Sequence, residues 1–205
     1  YGREKIFRED PQHESPLNLY GFSKLLFDRY VRRQLGPSET QIVGLRYFNV
    51  YGPGEEHKGE MASVAYKLHR QLLSSDTVQL FEGSGGYGNG EQRRDFIWVG
   101  DVVAVNLWLL DHPEVSGIYN VGTGNSQTFN DVAEAVLKFH GRGKIEYIPF
   151  PEHLRGRYQS FTEADITRLR RAGYRDAFLS VEEGVQRYLA SLDGSATPQA
   201  ETGNS

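Results

Sequence analysis

The chain alternates between stretches with helical spacing of apolar residues and short, nearly continuous apolar runs. The pattern predicts a helix over Leu17–Leu35 and a buried strand over Gln41–Val50, which ends at the breaker Tyr51-Gly52-Pro53. A helix that leads into a buried strand is typical of a parallel α/β sheet, and ligands are expected beyond the carboxyl end of such a strand. Asn49 and Val50 stand at that end.

The rest of the chain continues this alternation, which predicts an α/β protein. Further helices are predicted over Met61–Leu73, from a cap at Asp101 through Leu110, over Thr128–His140, from Thr162 or Asp165 to Arg171, and over Val181–Leu192. Further strands are predicted over Thr77–Phe81, Glu91–Val99, Ile118–Val121 and Ile145–Ile148, with a strand end at Tyr1-Gly2 and a surface loop over Gly54–Gly59.

The glycine-rich segment from Gly83 to Gly90 invites comparison with a phosphate-binding loop. A dinucleotide fingerprint requires a strand before the glycines and a helix that opens directly after them. Here a second predicted strand, Glu91–Val99, follows instead. We therefore predict a flexible hairpin loop.

One stretch, Tyr20-Gly21-Phe22-Ser23-Lys24, places a phenol and an ammonium four residues apart in the first predicted helix. Residues i and i+4 share a helix face, and a nearby positive charge favours the phenolate, which can act as a base. Tyr1 and Lys5 have the same spacing, but they lead into a polar stretch and not into a helix. Spacing alone is a weak signal, and the alternative for Tyr20 is a buried helix tyrosine whose hydroxyl is hydrogen-bonded locally.

Composition narrows the function classes. The 205 residues carry a formal net charge of −4, which argues against nucleic-acid binding. The chain has no cysteine, which favours the cytoplasm, no apolar stretch near the ~20 residues of a membrane span, and no paired spacing among its six histidines that would indicate a metal site. Because the first residue is tyrosine, we expect the chain to be part of a longer protein.

Several motifs together resemble a known family. Tyr20–Lys24 followed by Leu45–Pro53 resembles the second half of an extended short-chain dehydrogenase/reductase, the group of NAD(P)-dependent nucleotide-sugar epimerases and dehydratases. One branch of that group, the ADP-glyceromanno-heptose 6-epimerases, is similar through four further segments: His57–Ser63, Leu80–Ser84, Arg94–Phe96, and Ile148–Pro151 leading to Gly156–Gln159. The resemblance runs from Tyr1 to about Leu192.

The resemblance implies catalytic and cofactor-binding roles. Tyr20 would be the catalytic tyrosine, and Lys24 would both tune it and hold the nicotinamide ribose. Lys58 would be an opposing proton acceptor near the cofactor, because inversion of a carbinol centre requires hydride return to the other face of a transient ketone. Val50 would contact the nicotinamide through its backbone. The implied cofactor is NADP.

The resemblance also implies a set of substrate-binding residues: Asn49, Glu60, Lys67, Phe81, Glu82, Gly83, Ser84, Arg94 and Tyr158. Arg94 is suited to a diphosphate because its guanidinium donates two parallel hydrogen bonds. Lys67 stands where these epimerases commonly carry a substrate-contacting histidine, and Glu60 stands where many have serine. Two of the implied roles have non-functional alternatives: Lys58 as a solvated loop lysine, and Arg94 as the partner of Asp95 or Asp101 in a surface ion pair.

The implied fold is a partial Rossmann parallel sheet, whose N-terminal half lies upstream of Tyr1, with a smaller α/β substrate-binding domain. Residues 1–52 would complete the dinucleotide-binding domain, residues 53–192 would form mainly the substrate-binding domain, and residues 193–205 would be a disordered tail. The family's phosphate loop, its NAD-or-NADP selecting residue and its catalytic Ser or Thr also lie upstream. We therefore expect the chain alone to be inactive.

The leading hypothesis is epimerisation at the sixth carbon of ADP-glycero-manno-heptose, for the inner core of lipopolysaccharide, by a cytoplasmic homo-oligomer. One alternative is another nucleotide-sugar epimerase or dehydratase. A second alternative, for these 205 residues alone, is a non-catalytic module that binds a nucleotide sugar.

Overall fold

A computed structural model describes residues 7–16, 18–36, 39–152 and 158–194 of the chain. Within these ranges the α-helices are α1 (Leu19–Leu35), α2 (Val64–Ser74), α3 (Val99–Asp111), α4 (Phe129–His140), α5 (Thr167–Ala172) and α6 (Val181–Leu192). The strands are β1 (Val43–Tyr47), β2 (Asn49–Tyr51), β3 (Thr77–Phe81), β4 (Arg93–Arg94), β5 (Phe96–Trp98), β6 (Gly117–Val121), β7 (Gln127–Thr128) and β8 (Lys144–Ile148). Predictions for Tyr1-Gly2, Leu17 and residues 195–205 lie outside the described residues.

The described strands form parallel pairs with one antiparallel exception. β1 pairs with β6, β2 with β5 and β3 with β8 in parallel, whereas the short β4 and β7 are antiparallel. α1 contacts β1 and β6, and α3 contacts β2 and β5. Parallel pairs joined through helices confirm the predicted α/β class and its partial parallel sheet.

The strand predicted over Gln41–Val50 is wrong in one respect, because it is divided at Phe48. The Phe48 N–H donates to the Val121 carbonyl at 3.1 Å, and the next N–H, that of Asn49, donates to the Asp95 carbonyl at 3.0 Å. The chain therefore changes partner from β6 to β5 at this residue. An apolar run shows that a segment is buried, but it does not show which neighbour the segment pairs with.

The second division falls at Asp95, within the strand predicted over Glu91–Val99. β4 lies before Asp95 and pairs with β7, while β5 lies after it and pairs with β2. The segment from Gly83 to Gly90 is a loop, as predicted, but it does not form a hairpin, because β3 before it pairs with β8. Neither correction has a local signal, since both depend on strands that are distant in the sequence.

Side-chain caps explain the helix starts that the sequence predicted well. The side-chain oxygen Oδ1 of Asn18 accepts the Gly21 N–H at 2.8 Å at the start of α1. Thr128 and Asp131 form a capping box at α4, and Ser180 and Glu183 form another at α6. Each box satisfies two backbone N–H groups that would otherwise lack partners.

Three other helix starts are wrong. α2 begins at Val64 after a Ser63 cap, because the residues before it, including Met61, form a 3-10 helix over Glu56–Met61 where a loop was expected. α3 begins at Val99, so Asp101 is not its cap; the Asp101 carboxylate instead accepts the Leu179 N–H at 2.8 Å. α5 begins only at Thr167.

Two apolar clusters form the core. The larger is built from α2, α4, α6 and β3, with fully buried side chains such as Leu72, Val136 and Leu189. The other joins α3 and β6 to α5 through Val105, Val121 and Leu169. Among the described helices, none combines the length and the apolar character that crossing a bilayer requires.

The outer face of α1 is apolar and exposed. Leu19, Phe22, Leu26 and Tyr30 are spaced by three or four residues and are 86, 44, 49 and 60 % exposed. The opposite face of the helix carries the buried residues Leu25, Asp28 and Val31. α1 therefore has an apolar side that faces away from the sheet.

Gly184 on α6 lies close to a buried phenol. A Cβ at this residue would lie 1.9 Å from the Tyr51 Oη and 2.9 Å from its Cζ. We expect Gly184→Ala to lower the free energy of unfolding by about 1–2 kcal/mol, because the overlap costs more than the ~1 kcal/mol that alanine normally gains over glycine in a helix. Urea unfolding measures this change.

The matched control for this prediction is Gly36→Ala, since a Cβ at Gly36 meets nothing within 4 Å. It should leave the urea midpoint unchanged or raise it. Equal midpoints for the two variants would contradict the packing that we describe around Tyr51.

A histidine pair joins α2 to α4. The Nδ1 of His69 lies 3.0 Å from the Nε2 of His140, and burial lowers the pKa of both rings. Because the unfolded chain then binds more protons below about pH 6.5, stability should fall as the pH drops through that value. His69→Gln should show a smaller loss of thermal stability between pH 7 and 5 than the wild type. The exposed His57, changed to glutamine, is the control and should leave the slope unaltered.

Candidate active site

A cavity of about 580 Å³ opens beside the carboxyl ends of β1 and β6. The lining comes from α1, from β1 and the start of β2, and from residues near Phe7, Asn120 and Thr162. The full set of lining residues is Phe7, Tyr20, Lys24, Phe27, Asp28, Leu45, Arg46, Tyr47, Phe48, Asn49, Asn120, Gln159 and Thr162. Ligands of open parallel sheets bind in such crevices. The sequence therefore predicted the correct end of the strand for a cavity.

Tyr20 and Lys24 lie together on this wall. The Lys24 Nζ is 5.0 Å from the centroid of the Tyr20 ring, and Tyr20 is 73 % exposed. The helix begins one residue before Tyr20, after the Asn18 cap, so the cap fixes where the phenol leaves the first turn. The structure thus brings together the two residues whose spacing suggested an acid–base pair, and Tyr20 is not a buried core tyrosine.

Asn49, the first residue of β2, lines the same cavity. Its Oδ1 lies 3.5 Å from the Thr162 hydroxyl, and Thr162 is buried. Val50 is not among the described residues that line the cavity; it packs against the cluster that contains Val105, and its N–H donates to the Phe48 carbonyl at 2.9 Å. Alternation along the strand explains why the two neighbours point to opposite faces.

Lys58 stands apart from this cavity. It is exposed on the 3-10 helix Glu56–Met61, and it does not belong to the lining within the described part of the chain. Glu60 and Lys67 interact with each other: the Lys67 ammonium donates to the Glu60 carbonyl and lies 3.4 Å from its carboxylate. The two residues at which this sequence departs from the pattern that it resembles are therefore partners.

Arg94 lies outside this lining, among the rings of Tyr158 and Phe129, and we call this group of side chains the aromatic nest. The guanidinium carbon is 4.9 Å from the ring centroid of Tyr158 and 5.7 Å from that of Phe129, and Arg94 is only 7 % exposed. Burial lowers the pKa of Arg94, and burial raises the pKa of Tyr158 while the arginine charge opposes that rise. The Arg94 guanidinium donates to the Arg93 carbonyl at 2.9 Å. The alternative for Arg94, a surface ion pair with Asp95 or Asp101, is not formed within the described part of the chain.

Phe81 joins the nest through Phe150. The rings of Phe81 and Phe150 are 5.6 Å apart edge to face, and Phe150 is 5.4 Å from Tyr158. Because Gln159 follows Tyr158 directly and lines the cavity, the nest and the cavity are adjacent parts of one region. A long ligand could therefore extend from Tyr20 towards Arg94.

Glu82, Gly83 and Ser84 continue from β3 into the glycine-rich loop. The Gly83 N–H donates to the Asn89 side chain at 2.9 Å, and a Cβ at Gly83 would lie 2.3 Å from the Tyr87 carbonyl oxygen. Glycine is needed here because the loop folds back on its own backbone. Glu82 is exposed and its N–H donates to the Ile148 carbonyl at 2.8 Å.

Asp95 joins several segments of this region, a role that no local motif indicated. Its carboxylate accepts the N–H groups of Thr123, Gly124 and Ala164 at 2.7, 3.0 and 2.9 Å and the Thr123 hydroxyl at 2.8 Å. Burial raises the pKa of the Asp95 carboxyl, and these hydrogen bonds oppose the rise. Asp95 is therefore the junction between β2, the turn after β6 and the segment before α5.

Arg46 and Asp28 also line the cavity and were missed. The Arg46 Nε lies 2.9 Å from the Asp28 Oδ2, and its Nη2 lies 2.7 Å from the same oxygen. Arg46 also contacts the Glu14 carboxylate, and the Arg32 guanidinium donates to the two oxygens of that carboxylate at 2.8 and 2.5 Å. Burial raises the pKa of the Glu14 carboxyl, but the two arginines lower it overall. A charged residue inside the apolar run from Ile42 to Val50 is the signal that could have indicated this network.

A larger cavity of about 710 Å³ lies between the segment Arg8–Pro11 and α5. Its arginines face acidic side chains, as shown by the Arg8–Asp165 pair at 2.9 Å. It contains neither Tyr20 nor Lys24, so we place the candidate site in the smaller cavity. Within the described part of the chain, no three His, Cys, Asp or Glu side chains converge as a metal site.

Comparison with known proteins agrees with this geometry. Residues 1–122 match the model of the NAD dependent epimerase/dehydratase family. This chain belongs to that family. The match includes α1 with Tyr20 and Lys24, and both strands that end at the cavity.

Individual members of the family are similar over most of the chain. The ADP-L-glycero-D-manno-heptose-6-epimerase of Alkalilimnicola ehrlichii is 62 % identical over 192 residues, which cover 94 % of this chain and 60 % of that protein. The crystal structure of the Helicobacter pylori enzyme of the same name superposes with a TM-score of 0.78 at 34 % identity, over 94 % of this chain and 57 % of the other. The chain thus spans about 60 % of the length of these relatives.

A more distant family member was solved with its cofactor. The Thermus thermophilus UDP-glucose 4-epimerase in complex with NAD has a TM-score of 0.72 at 26 % identity, over 93 % of this chain and 59 % of the other. In the present chain, Lys24 offers an exposed ammonium at the carboxyl ends of parallel strands, in a cavity large enough for a nicotinamide ring. The residues present therefore fit the nicotinamide end of an NAD(P) cofactor.

Proposed function

We propose that the full-length protein is an epimerase that inverts the sixth carbon of ADP-glycero-manno-heptose, supplying heptose for the inner core of lipopolysaccharide. The 62 % identity to an enzyme of that name supports the substrate assignment. The observation that carries the chemistry is the common placement of Tyr20, Lys24 and Asn49 in one cavity at the carboxyl ends of the strands.

In the proposed reaction Tyr20 removes the hydroxyl proton from the carbinol as the transient ketone forms. Lys24, whose ammonium lies 5.0 Å from the centroid of the Tyr20 ring, would hold the nicotinamide ribose. Asn49 would bind a substrate oxygen, and Val50 would contact the nicotinamide through its backbone. The cofactor would supply the hydride acceptor and donor.

The remainder of the substrate would extend over the aromatic nest. Arg94 would bind the diphosphate, and its low exposure would make that charge-assisted contact strong. Tyr158 would close the pocket over it, and Phe81 to Ser84 would cover the nucleotide. Glu60 and Lys67, joined by their own ion pair, would contact the sugar as a unit.

Lys58 remains our proposal for the second proton acceptor. It is carried by an exposed 3-10 helix, so this role requires that helix to lie over the bound ketone in the full-length protein. Two bases on opposite faces would serve an inversion, because the proton is removed from one side and supplied from the other.

The finer assignments are also proposals. The cofactor would be NADP, and the enzyme would act as a homo-oligomer in the cytoplasm. Residues 1–52 would belong to the dinucleotide-binding domain and residues 53–192 mainly to the substrate-binding domain, with α3, β6 and α5 returning to the first. The 205 residues alone would not turn over substrate.

The test is to supply the full-length protein with one ADP-heptose epimer and to follow the other by chromatography. Interconversion supports the proposal, and its absence at high enzyme concentration overturns it. UDP-galactose in a parallel reaction tests the alternative that this is an epimerase of another sugar nucleotide. Calorimetry of the 205 residues alone with NADP tests the non-catalytic module, for which we expect no tight cofactor binding.

A further inference from the structure

Lys58 stands on an exposed segment of the chain whose two ends are buried. Glu55, at the first end, is only 3 % exposed, whereas the 3-10 helix Glu56–Met61 is exposed throughout. The chain is buried again at Ala62, directly before the cap of α2. We call residues 55–63 the Lys58 segment.

The Glu55 carboxylate joins the two ends of the Lys58 segment. One of its oxygens accepts the Ser63 N–H at 2.7 Å, and the other accepts the Ser63 hydroxyl at 2.6 Å. The Glu55 carbonyl also accepts the Lys58 N–H at 2.9 Å, which forms the first turn of the segment. Hydrogen bonds to a carboxylate are stronger than neutral ones, so the two contacts with Ser63 hold the ends firmly.

The location of this carboxylate explains how a charge can be buried here. Ser63 is the N-cap of α2, and its hydroxyl accepts the Tyr66 N–H at 3.3 Å. Glu55 therefore lies at the amino end of α2, where the helix dipole stabilises a negative charge. A buried carboxylate without donors is costly, so Glu55 favours the closed segment, in which Ser63 supplies two donors.

The middle of the Lys58 segment is held less strongly than its ends. Gly59, which follows Lys58, has a φ of 53°, a left-handed value that glycine adopts readily. The Lys67 ammonium donates to the Glu60 carbonyl, but the Glu60 side chain is fully exposed, so their ion pair is screened by water. The main restraint on the position of Lys58 is therefore the closure at Glu55.

We propose that Glu55 is a positioning residue for Lys58: its carboxylate closes the Lys58 segment and thereby fixes where the lysine stands. This inference rests on the proposed function, in which Lys58 is the second proton acceptor. A displacement of about 1 Å in a catalytic group can cost roughly 100-fold in rate. A lysine on an exposed segment therefore needs a restraint elsewhere in the chain, and Glu55 supplies it.

The kinetic test is a double-mutant cycle between Glu55 and Lys58 in the full-length protein. Glu55→Ala removes both acceptors, and we expect it to lower kcat for ADP-heptose interconversion by roughly 10- to 100-fold. Glu55→Gln keeps an acceptor for the Ser63 N–H and should lose less. In a Lys58→Met background, which already lacks the ammonium, Glu55→Ala should change kcat by less than about threefold, because residues that act as a unit are not additive.

A second measurement follows the Lys58 segment without any assay of activity. Trypsin cleaves after lysine, and it requires the bond between Lys58 and Gly59 to lie in a locally opened chain. We expect Glu55→Ala to raise the rate of this cleavage by about tenfold, because cleavage follows the population of the open form. Mass spectrometry of the digested full-length protein gives the rate at this bond. Glu56→Ala, at the exposed neighbouring residue, is the matched control and should alter neither this rate nor kcat.

A pair of serine variants separates positioning from stability. Ser63→Ala removes the hydroxyl that donates to Glu55 together with the cap of α2, and Ser180→Ala removes the cap of α6. Both variants should lose similar thermal stability, because each helix loses the same kind of cap. Of the two, Ser63→Ala should raise the cleavage after Lys58 and lower kcat, and Ser180→Ala should do neither. This pair decides the matter if Glu55→Ala does not fold.

Three results would overturn the inference. They are equal losses of kcat from Glu55→Ala in the wild-type and Lys58→Met backgrounds, an unchanged rate of cleavage after Lys58 in Glu55→Ala and Ser63→Ala, and a wild-type kcat in Lys58→Met. Failure of the wild type to interconvert ADP-heptoses would overturn the proposed function instead, while the cleavage rates still decide whether Glu55 fixes the Lys58 segment.

Discussion

Tyr20→Phe in the full-length protein should lower kcat for ADP-heptose interconversion by roughly 10²- to 10⁴-fold, the usual contribution of a positioned general base. Phenylalanine keeps the ring that Lys24 contacts but removes the hydroxyl that would carry the proton. Binding should change little, because Tyr20 is exposed to the cavity and supports no core contact. Steady-state kinetics together with cofactor titration separates the two effects.

Tyr30→Phe is the matched control for this variant. Tyr30 is a tyrosine of the same helix, 60 % exposed on its outer face, away from the cavity. It should leave kcat unaltered. A Tyr20→Phe protein that keeps more than about a tenth of the wild-type kcat would exclude Tyr20 as the principal base.

Asp95→Asn should lower the free energy of unfolding by roughly 3 kcal/mol, although the two side chains have nearly the same shape. Four donors point at the carboxylate, and the amide NH₂ of asparagine would have to face two of them. Asp95 is fully buried, so water cannot take the place of the lost acceptor. Urea or thermal unfolding gives the value.

Asp111→Asn makes the same chemical change at an exposed residue at the end of α3. Its effect should be within about 0.5 kcal/mol. If both variants unfold at the same urea concentration, Asp95 does not have the stabilising role that its hydrogen bonds indicate.

Local signals were sufficient to predict the elements whose boundaries depend on their own residues. β3 and α6 begin and end where the periodicity placed them, and Thr128 and Ser180 cap helices because their hydroxyls bond within three residues. The two divided strands could not be predicted in this way. At Phe48 and Asp95 the chain changes partner, and the partners come from distant segments.

The same distinction holds for the candidate site. Tyr20, Lys24 and Asn49 were found because helix spacing and strand ends are visible in the sequence, and the structure places all three in one cavity. Arg46 was missed because its significance depends on Asp28, 18 residues away on another element. Lys58 and Val50 were chosen by resemblance, and neither of them lines that cavity.

The exposed apolar side of α1 has a practical consequence for work on this polypeptide. When the 205 residues are produced without any covering partner, Leu19, Phe22, Leu26 and Tyr30 face water together, and burying them favours self-association at high protein concentration. Light scattering should therefore rise steeply with the amount of the short polypeptide. Assays of ligand affinity are best made on the full-length protein, where a weak signal cannot be mistaken for the behaviour of aggregates.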